Sequence, residues 1–268
     1  MEKFKLLTSA LLIVMVSFMV GCSDDNVKLK TPFELRLTDA PATYDKVNID
    51  IQEIQIHTAD NEEDGEWTNL PLTKVGVYDL LQFNNGMDTL MVDTELPSGR
   101  ISQMRLILGN KNSVVVNGEE IPLNTPSAQT SGLKFQINAE LLGGITYRLW
   151  IDFDAARSIV ATGNGKYNLK PVIRTFNEAT SGAIKGQVNP ADAATEVQAI
   201  TGVDTLATFP EADGTFHFLG TQAGTYKLRF LPAENYVEKV KEEVIVENGK
   251  VTNLEVIEME TSTTDTNE

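Results

Sequence analysis

Tyr147-Arg148-Leu149-Trp150-Ile151-Asp152-Phe153-Asp154 alternates without interruption. Tyr147, Leu149, Ile151 and Phe153 fall on one side of an extended chain, and Arg148, Trp150, Asp152 and Asp154 on the other. A period of two with one apolar face is the pattern of a half-buried strand, and it recurs on both sides of this stretch. Upstream, Phe33, Leu35 and Leu37 alternate with Glu34, Arg36 and Thr38 until Asp39-Ala40-Pro41 stops the run. Val47, Ile49 and Ile51 follow the same period, but Ile54 and Ile56 are out of phase with them, so an extra residue must be absorbed near Gln52-Glu53, as in a β-bulge.

Ile101 to Leu108 is apolar on both faces towards its end, and Asn117-Gly118 is a tight-hairpin pair. Leu133, Phe135 and Ile137 give a further strand, and Tyr167, Leu169, Pro171 and Ile173 close the set, with Pro171 predicting an edge or a bulge. Helix is scarce: Val77 to about Phe83, stopped by Asn84-Asn85-Gly86, and one turn over Asn138 to Leu142 before Gly143-Gly144. Asp60-Asn61-Glu62-Glu63-Asp64-Gly65-Glu66 reads as a solvated hairpin tip, because it lacks the residue order of a calcium loop. After a polar stretch at Asn177 to Ser181, strand patterns return roughly every ten residues with glycine turns, as in a small sandwich. The expected fold is mainly all-β: two β-sandwich-like domains in tandem, residues 32–177 and 178–260, the first with one or two short helices, followed by a polar tail over 261–268.

The N-terminus carries an address. Lys3 and Lys5 precede an apolar run from Leu11 to Val20, which is shorter than the roughly 20 residues a membrane span needs, and the run ends at Met19-Val20-Gly21-Cys22. This resembles a bacterial lipobox, in which residues 1–21 are a signal peptide and Cys22 becomes the acylated first residue of the mature chain. Ser23-Asp24-Asp25 resembles the signal that sends lipoproteins of Bacteroidota to the outer face of the outer membrane, and residues 22–31 read as an acidic tether. Residues 1–21 contain Glu2, Lys3 and Lys5, a net +1, so the formal charge of −16 becomes −17 in the mature chain. Such a chain repels phosphate backbones and anionic headgroups. Nucleic acid is therefore excluded as a partner, the lipid is the expected membrane attachment, and a glycan or another surface protein remains. With one cysteine, at the acylation position, no disulfide is expected.

Leu37-Thr38-Asp39-Ala40-Pro41, Asp79-Leu80-Leu81, Leu96-Pro97-Ser98-Gly99, Asp152 to Ser158 and Leu169-Lys170-Pro171-Val172-Ile173-Arg174 together resemble the landmarks of domain of unknown function 4382, from Phe33 to about Phe176. The resemblance implies an exported, mostly β lipoprotein domain and supplies no catalytic residue. Asp213-Gly214-Thr215-Phe216 and Ala223-Gly224-Thr225-Tyr226 are the clearest pieces of the second unit. It resembles the carboxypeptidase regulatory-like, transthyretin-type sandwich, a fold also grouped with carbohydrate-binding modules.

No nucleophile elbow, P-loop or dinucleotide fingerprint is present, and His57 and His217 lie in different units without ligand spacing, so neither a metal nor a cofactor is expected. Asp152 and Asp154 could act as acid and base in a hydrolase, or serve as a strand end and a cap for the turn after Asp154. Trp150, between Arg148 and Asp152, has the polar neighbours of a sugar-stacking platform, but large aromatics are usually covered, here by a loop or by the second unit. Trp67, beside the acidic tip, poses the same alternative. The face Arg148, Trp150, Asp152 and Asp154 is the candidate ligand site of a non-catalytic binding or adhesion protein, the other readings being a structural spacer or assembly subunit and a hydrolase.

Overall fold

The structure, a computed structural model, describes residues 29–58, 67–125, 131–202 and 204–262. Cys22, the acidic residues after it, the Asp60–Glu66 tip and the end of the polar tail lie outside the described residues. The first sandwich contains β1 (Lys30–Thr38), β2 (Lys46–His57), β3 (Trp67–Leu70), β4 (Gly76–Asp79), β5 (Thr89–Pro97), β6 (Gly99–Leu108), β7 (Ser113–Val116), β8 (Glu119–Asn124), β9 (Leu133–Leu141), β10 (Tyr147–Phe153), β11 (Ile159–Ala161), β12 (Tyr167–Leu169) and β13 (Ile173–Phe176). A 3-10 turn over Leu80–Phe83 and one helical turn, α1 (Ala155–Ser158), complete it. One sheet runs β13-β10-β1-β5; the other runs β11-β12-β8-β7-β2-β6-β9, with β3 and β4 also on β2. Phe33, Leu35, Leu37, Leu149, Ile151 and Phe153 from the first sheet pack with Val47, Ile49, Ile51, Ile54 and Ile56 from the second in one buried cluster. The alternation read from the sequence is thus the inward set of a sandwich. The extra residue in β2 is where the phase change requires it: the register against β6 shifts between Ile51 and Glu53.

The second sandwich contains β14 (Gly182–Asn189), β15 (Ala194–Thr201), β16 (Asp204–Thr208), β17 (Thr215–Thr221), β18 (Gly224–Pro232), β19 (Lys239–Val246), β20 (Val251–Asn253) and β21 (Ile257–Glu258). Its sheets are β17-β14-β20, with β21 also on β14, and β16-β15-β18-β19. Ile184, Val188, Val197, Phe216, Leu228 and Phe230 form its own buried cluster. The chain is mainly all-β, as the patterning predicts.

Local expectations fail where partner strands outbid propensity. Val77 and Tyr78 are not helical; they pair with Asp50 and Ile49 of β2, and only Leu80–Phe83 turns. Asn138 to Leu141 is strand, because Ala139, Glu140 and Leu141 complete the ladder to Ile101, Arg100 and Gly99. Pro171 does not sit within a strand. It lies between β12 and β13, which belong to different sheets, so the apparent run from Tyr167 to Ile173 is a crossing from one layer to the other. Asn248-Gly249 likewise joins strands of two sheets: β19 pairs with β18, and β20 runs parallel to β14.

Candidate functional site

β1 and β10 are parallel neighbours, with Glu34 opposite Arg148, Arg36 opposite Trp150 and Thr38 opposite Asp152. Their inward side chains anchor the sheet in the core, so the outward ones form a row. Arg148 Nε donates to Glu34 at 2.8 Å, Arg36 Nε donates to Asp88 at 2.8 Å, and Trp150 Nε1 donates to the other Asp88 oxygen at 2.8 Å. On the other side of β10, Trp150 lies opposite Phe176 and Asp152 opposite Arg174. The Trp150 and Phe176 rings are parallel, with centroids 5.5 Å apart, and Arg174 Nε forms an ion pair with Asp152.

Trp150 is 8% exposed, so the row is not an open aromatic platform. Trp150 is enclosed by Asp88 and the Phe176 ring, and the second unit approaches the row through Arg174 and Phe176. The Arg174 guanidinium donates to the carbonyls of Gly220 and Leu219 at 3.3 and 3.2 Å, and Gly220, at φ +60, lies directly against the Phe176 ring. Asn85 fastens a neighbouring point: its Oδ1 accepts from the His217 backbone N–H at 2.8 Å, and its Nδ2 donates to Glu211 at 2.9 Å.

Asp154 departs from the row because β10 ends at Phe153. Its side chain accepts from the Arg157 N–H at 2.9 Å and caps α1, the structural alternative drawn from the sequence. Burial, the largest cause, raises its pKa. Asp39, which the sequence marks only as the end of a strand, is the more perturbed group. Its Oδ1 accepts from the Ala155 N–H at 2.9 Å, while Oδ2 is buried without a hydrogen-bond partner, as is Asp152 Oδ1. Burial pushes Asp39 up to about 9, with Asp152 and Asp154 adding repulsion. No signal in the linear sequence distinguishes Asp39 from a turn residue, since its burial depends on α1 folding over it.

Two recesses lie at the junction of the sandwiches. A pocket of about 200 Å³ is bordered by Asp39, Asp152, Asp154, Arg174, Asn85 and His217. A larger groove of about 740 Å³ is bordered by Trp150, Phe176, Asp88, Glu178, Lys250 and Val251. Among the described residues no group of three acidic, histidine or cysteine side chains is placed to hold a metal ion. His57 is buried beside Ser102 and against the Trp67 ring, and His217 is half-buried at the junction with its pKa lowered by burial. Trp67 is half-buried, with the Arg105 guanidinium 4.3 Å from its ring centre.

The family described as domain of unknown function DUF4382 matches residues 30–171. No curated protein matches. Solved structures with detectable similarity include the TIE protein of Bacillus anthracis, at 14% identity and TM-score 0.23, covering 86% of this chain and 35% of that one. A leucine-rich repeat protein from Bacteroides thetaiotaomicron matches at 11% identity and TM-score 0.20, over 87% of this chain and 26% of that one. A fimbrial protein from Bacteroides ovatus matches at 7% identity and TM-score 0.26, over 87% of this chain and 50% of that one. The chain thus spans about a third of the first relative and about a quarter of the second. Likeness at these TM-scores is too slight to carry an argument about function.

Proposed function

For a chain that belongs to the DUF4382 family, whose name assigns no chemistry, we propose a non-catalytic binding protein of the outer cell surface. It is held to the outer membrane through acylated Cys22, and its ligand is a glycan bound in the junction groove. The observation that carries this reading is the groove itself. At about 740 Å³ it has the size of a small-ligand site, and it combines the Trp150 and Phe176 rings with the polar groups of Asp88, Glu178 and Lys250. Apolar ring edges beside hydrogen-bonding groups suit a sugar, which presents C–H faces and hydroxyls together. The strongly acidic composition favours a neutral ligand over a polyanion.

The other readings have less support. A hydrolase would need Asp152 and Asp154 as acid and base, but the first is paired with Arg174 and the second caps α1. For an assembly subunit that pairs through strand edges, one end strand, β19, is unsuited, because Glu243 at φ +59 interrupts it and Lys239 and Lys241 lie along it, features that discourage strand addition.

The test is a glycan-array screen of residues 23–268, repeated with Lys250→Ala and Glu178→Gln. Both side chains are mostly exposed, so their loss should leave the melting temperature unchanged. The expected result is retention of a neutral glycan, weakened roughly tenfold, about 1.4 kcal/mol, by either substitution. No retained glycan, or one bound equally by both variants, would refute the groove as the site. For the address, Cys22→Ser should accumulate unprocessed precursor, and proteinase added to intact cells should degrade the parent protein.

A further inference from the structure

We propose that Leu29, Leu142 and Ile145 form a membrane-contact patch that seats the root of the first sandwich on the leaflet holding the Cys22 acyl chains. The inference rests on the lipoprotein reading above and adds to it a surface of the folded domain. The three side chains are 66%, 56% and 61% exposed, among the most exposed large apolar residues of the described chain. They come from two segments that the fold brings together. Gly143 packs so closely on Leu29 that a Cβ there would overlap its side chain, and the Gly144 N–H donates to the Lys30 carbonyl at 3.0 Å. The start of β1 and the β9–β10 turn therefore share one exposed apolar corner.

What covers this corner is indicated by the chain that leads into it. Leu29 is seven residues after Cys22, and seven residues reach at most about 25 Å when fully extended. An anchored Cys22 therefore confines Leu29, and with it Leu142 and Ile145, to the immediate neighbourhood of the bilayer. An apolar cluster held there gains by entering the boundary between headgroups and acyl chains. The net charge of the mature chain opposes adsorption to anionic lipid, so the contact is apolar and should form on zwitterionic membranes.

The sequence makes the test direct, because Cys22 is the only cysteine and acylation consumes its thiol. Ile145→Cys in the full-length, processed protein supplies one free thiol for an environment-sensitive fluorophore. Val75→Cys is the control: Val75 is exposed, and it precedes Gly76, which shares with Leu108 the partner Ile51. β6 runs from Gly99, opposite Leu141, to Leu108, so Val75 is at the far end of that strand, about 30 Å away at about 3.3 Å per residue. Both proteins are reconstituted into phosphatidylcholine vesicles containing a lipid-borne quencher, and acylation of Cys22 is verified by mass spectrometry. Quenching and a blue shift at position 145 with neither at position 75 is the expected result. With acylation verified, an unquenched probe at 145, or equal quenching at both positions, overturns the patch and leaves the lipoprotein reading intact. An unmodified Cys22 overturns both.

Discussion

Replacing Trp150 by Ala separates a covered junction residue from an open platform. Large aromatics bury about 150–250 Å² each, and Trp150 is at the upper end of that size with 8% of its surface exposed. At about 25 cal/mol per Å² the buried ring represents roughly 5 kcal/mol, an upper figure because the unfolded chain already shields part of it. Large-to-small aromatic substitutions cost about 3–5 kcal/mol, so the two routes agree. For a chain of this size that loss lowers the melting temperature by roughly 6–20 °C. Trp150→Phe keeps a ring against Phe176 and loses the N–H that meets Asp88, whose other oxygen retains Arg36. It should cost only about 1–2 kcal/mol. Calorimetric melts of residues 23–268 and the two variants read both effects. An Ala variant melting within about 2 °C of the parent would refute the claim that this ring is part of the packed junction. Equal losses for Ala and Phe would transfer the stabilisation from the ring to the hydrogen bond.

Asp39 predicts the direction of the pH dependence. Its carboxyl titrates at about 9 when folded against an ordinary value of 3.8, so the folded chain holds a proton that the unfolded chain releases. Stability should then fall as pH rises from about 4 to about 9, and Asp39→Asn should flatten that slope in melts taken at pH 5 to 9; an unchanged slope would exclude Asp39 as its source. His217, with a lowered pKa, acts the other way, its contribution being lost as pH falls below about 6.5. Gly220→Ala should destabilise by about 1–3 kcal/mol in urea titrations, because the new Cβ meets the Phe176 ring. Gly144→Ala, also at positive φ but with open space around it, should cost about 1 kcal/mol.

How much of this is legible in the sequence depends on whether a residue's role is local. The alternation in β1, β2 and β10 and the bulge in β2 can be read directly, because side-chain period and burial are properties of one strand. The Asn117-Gly118 hairpin is equally legible, since both residues adopt the positive φ such a turn requires. Sheet membership is not local, so Tyr167 to Ile173 looks like one strand when it is two. The site follows the same division. Strand alternation places Arg148, Trp150 and Asp152 in a row correctly, but it cannot show that Arg174, over twenty residues later in the chain, sits opposite Asp152. Nor can it show that Gly220 covers Phe176, or that Asp39 lies under α1.

The landmarks by which the chain resembles its family are corners of this architecture. Asp39 closes β1 and accepts from the N–H of Ala155, so the first landmark is joined to the fourth. The fourth then receives the last: the Ser158 carbonyl accepts from the Lys170 N–H at 2.8 Å, its hydroxyl accepts from the Val172 N–H at 2.8 Å, and the Asp154 N–H donates to the Val172 carbonyl at 3.0 Å. Leu96-Pro97-Ser98-Gly99 passes the chain from β5 in one sheet to β6 in the other, with Gly99 at φ +143. Asp79 accepts from the Val47 N–H where β4 gives way to the 3-10 turn. Each of these contacts fixes where one layer hands the chain to the next. The last landmark ends at Arg174, whose guanidinium holds both Asp152 and two carbonyls of β17. The same corner that closes the first sandwich therefore also positions the second, and the groove between them inherits its shape from both.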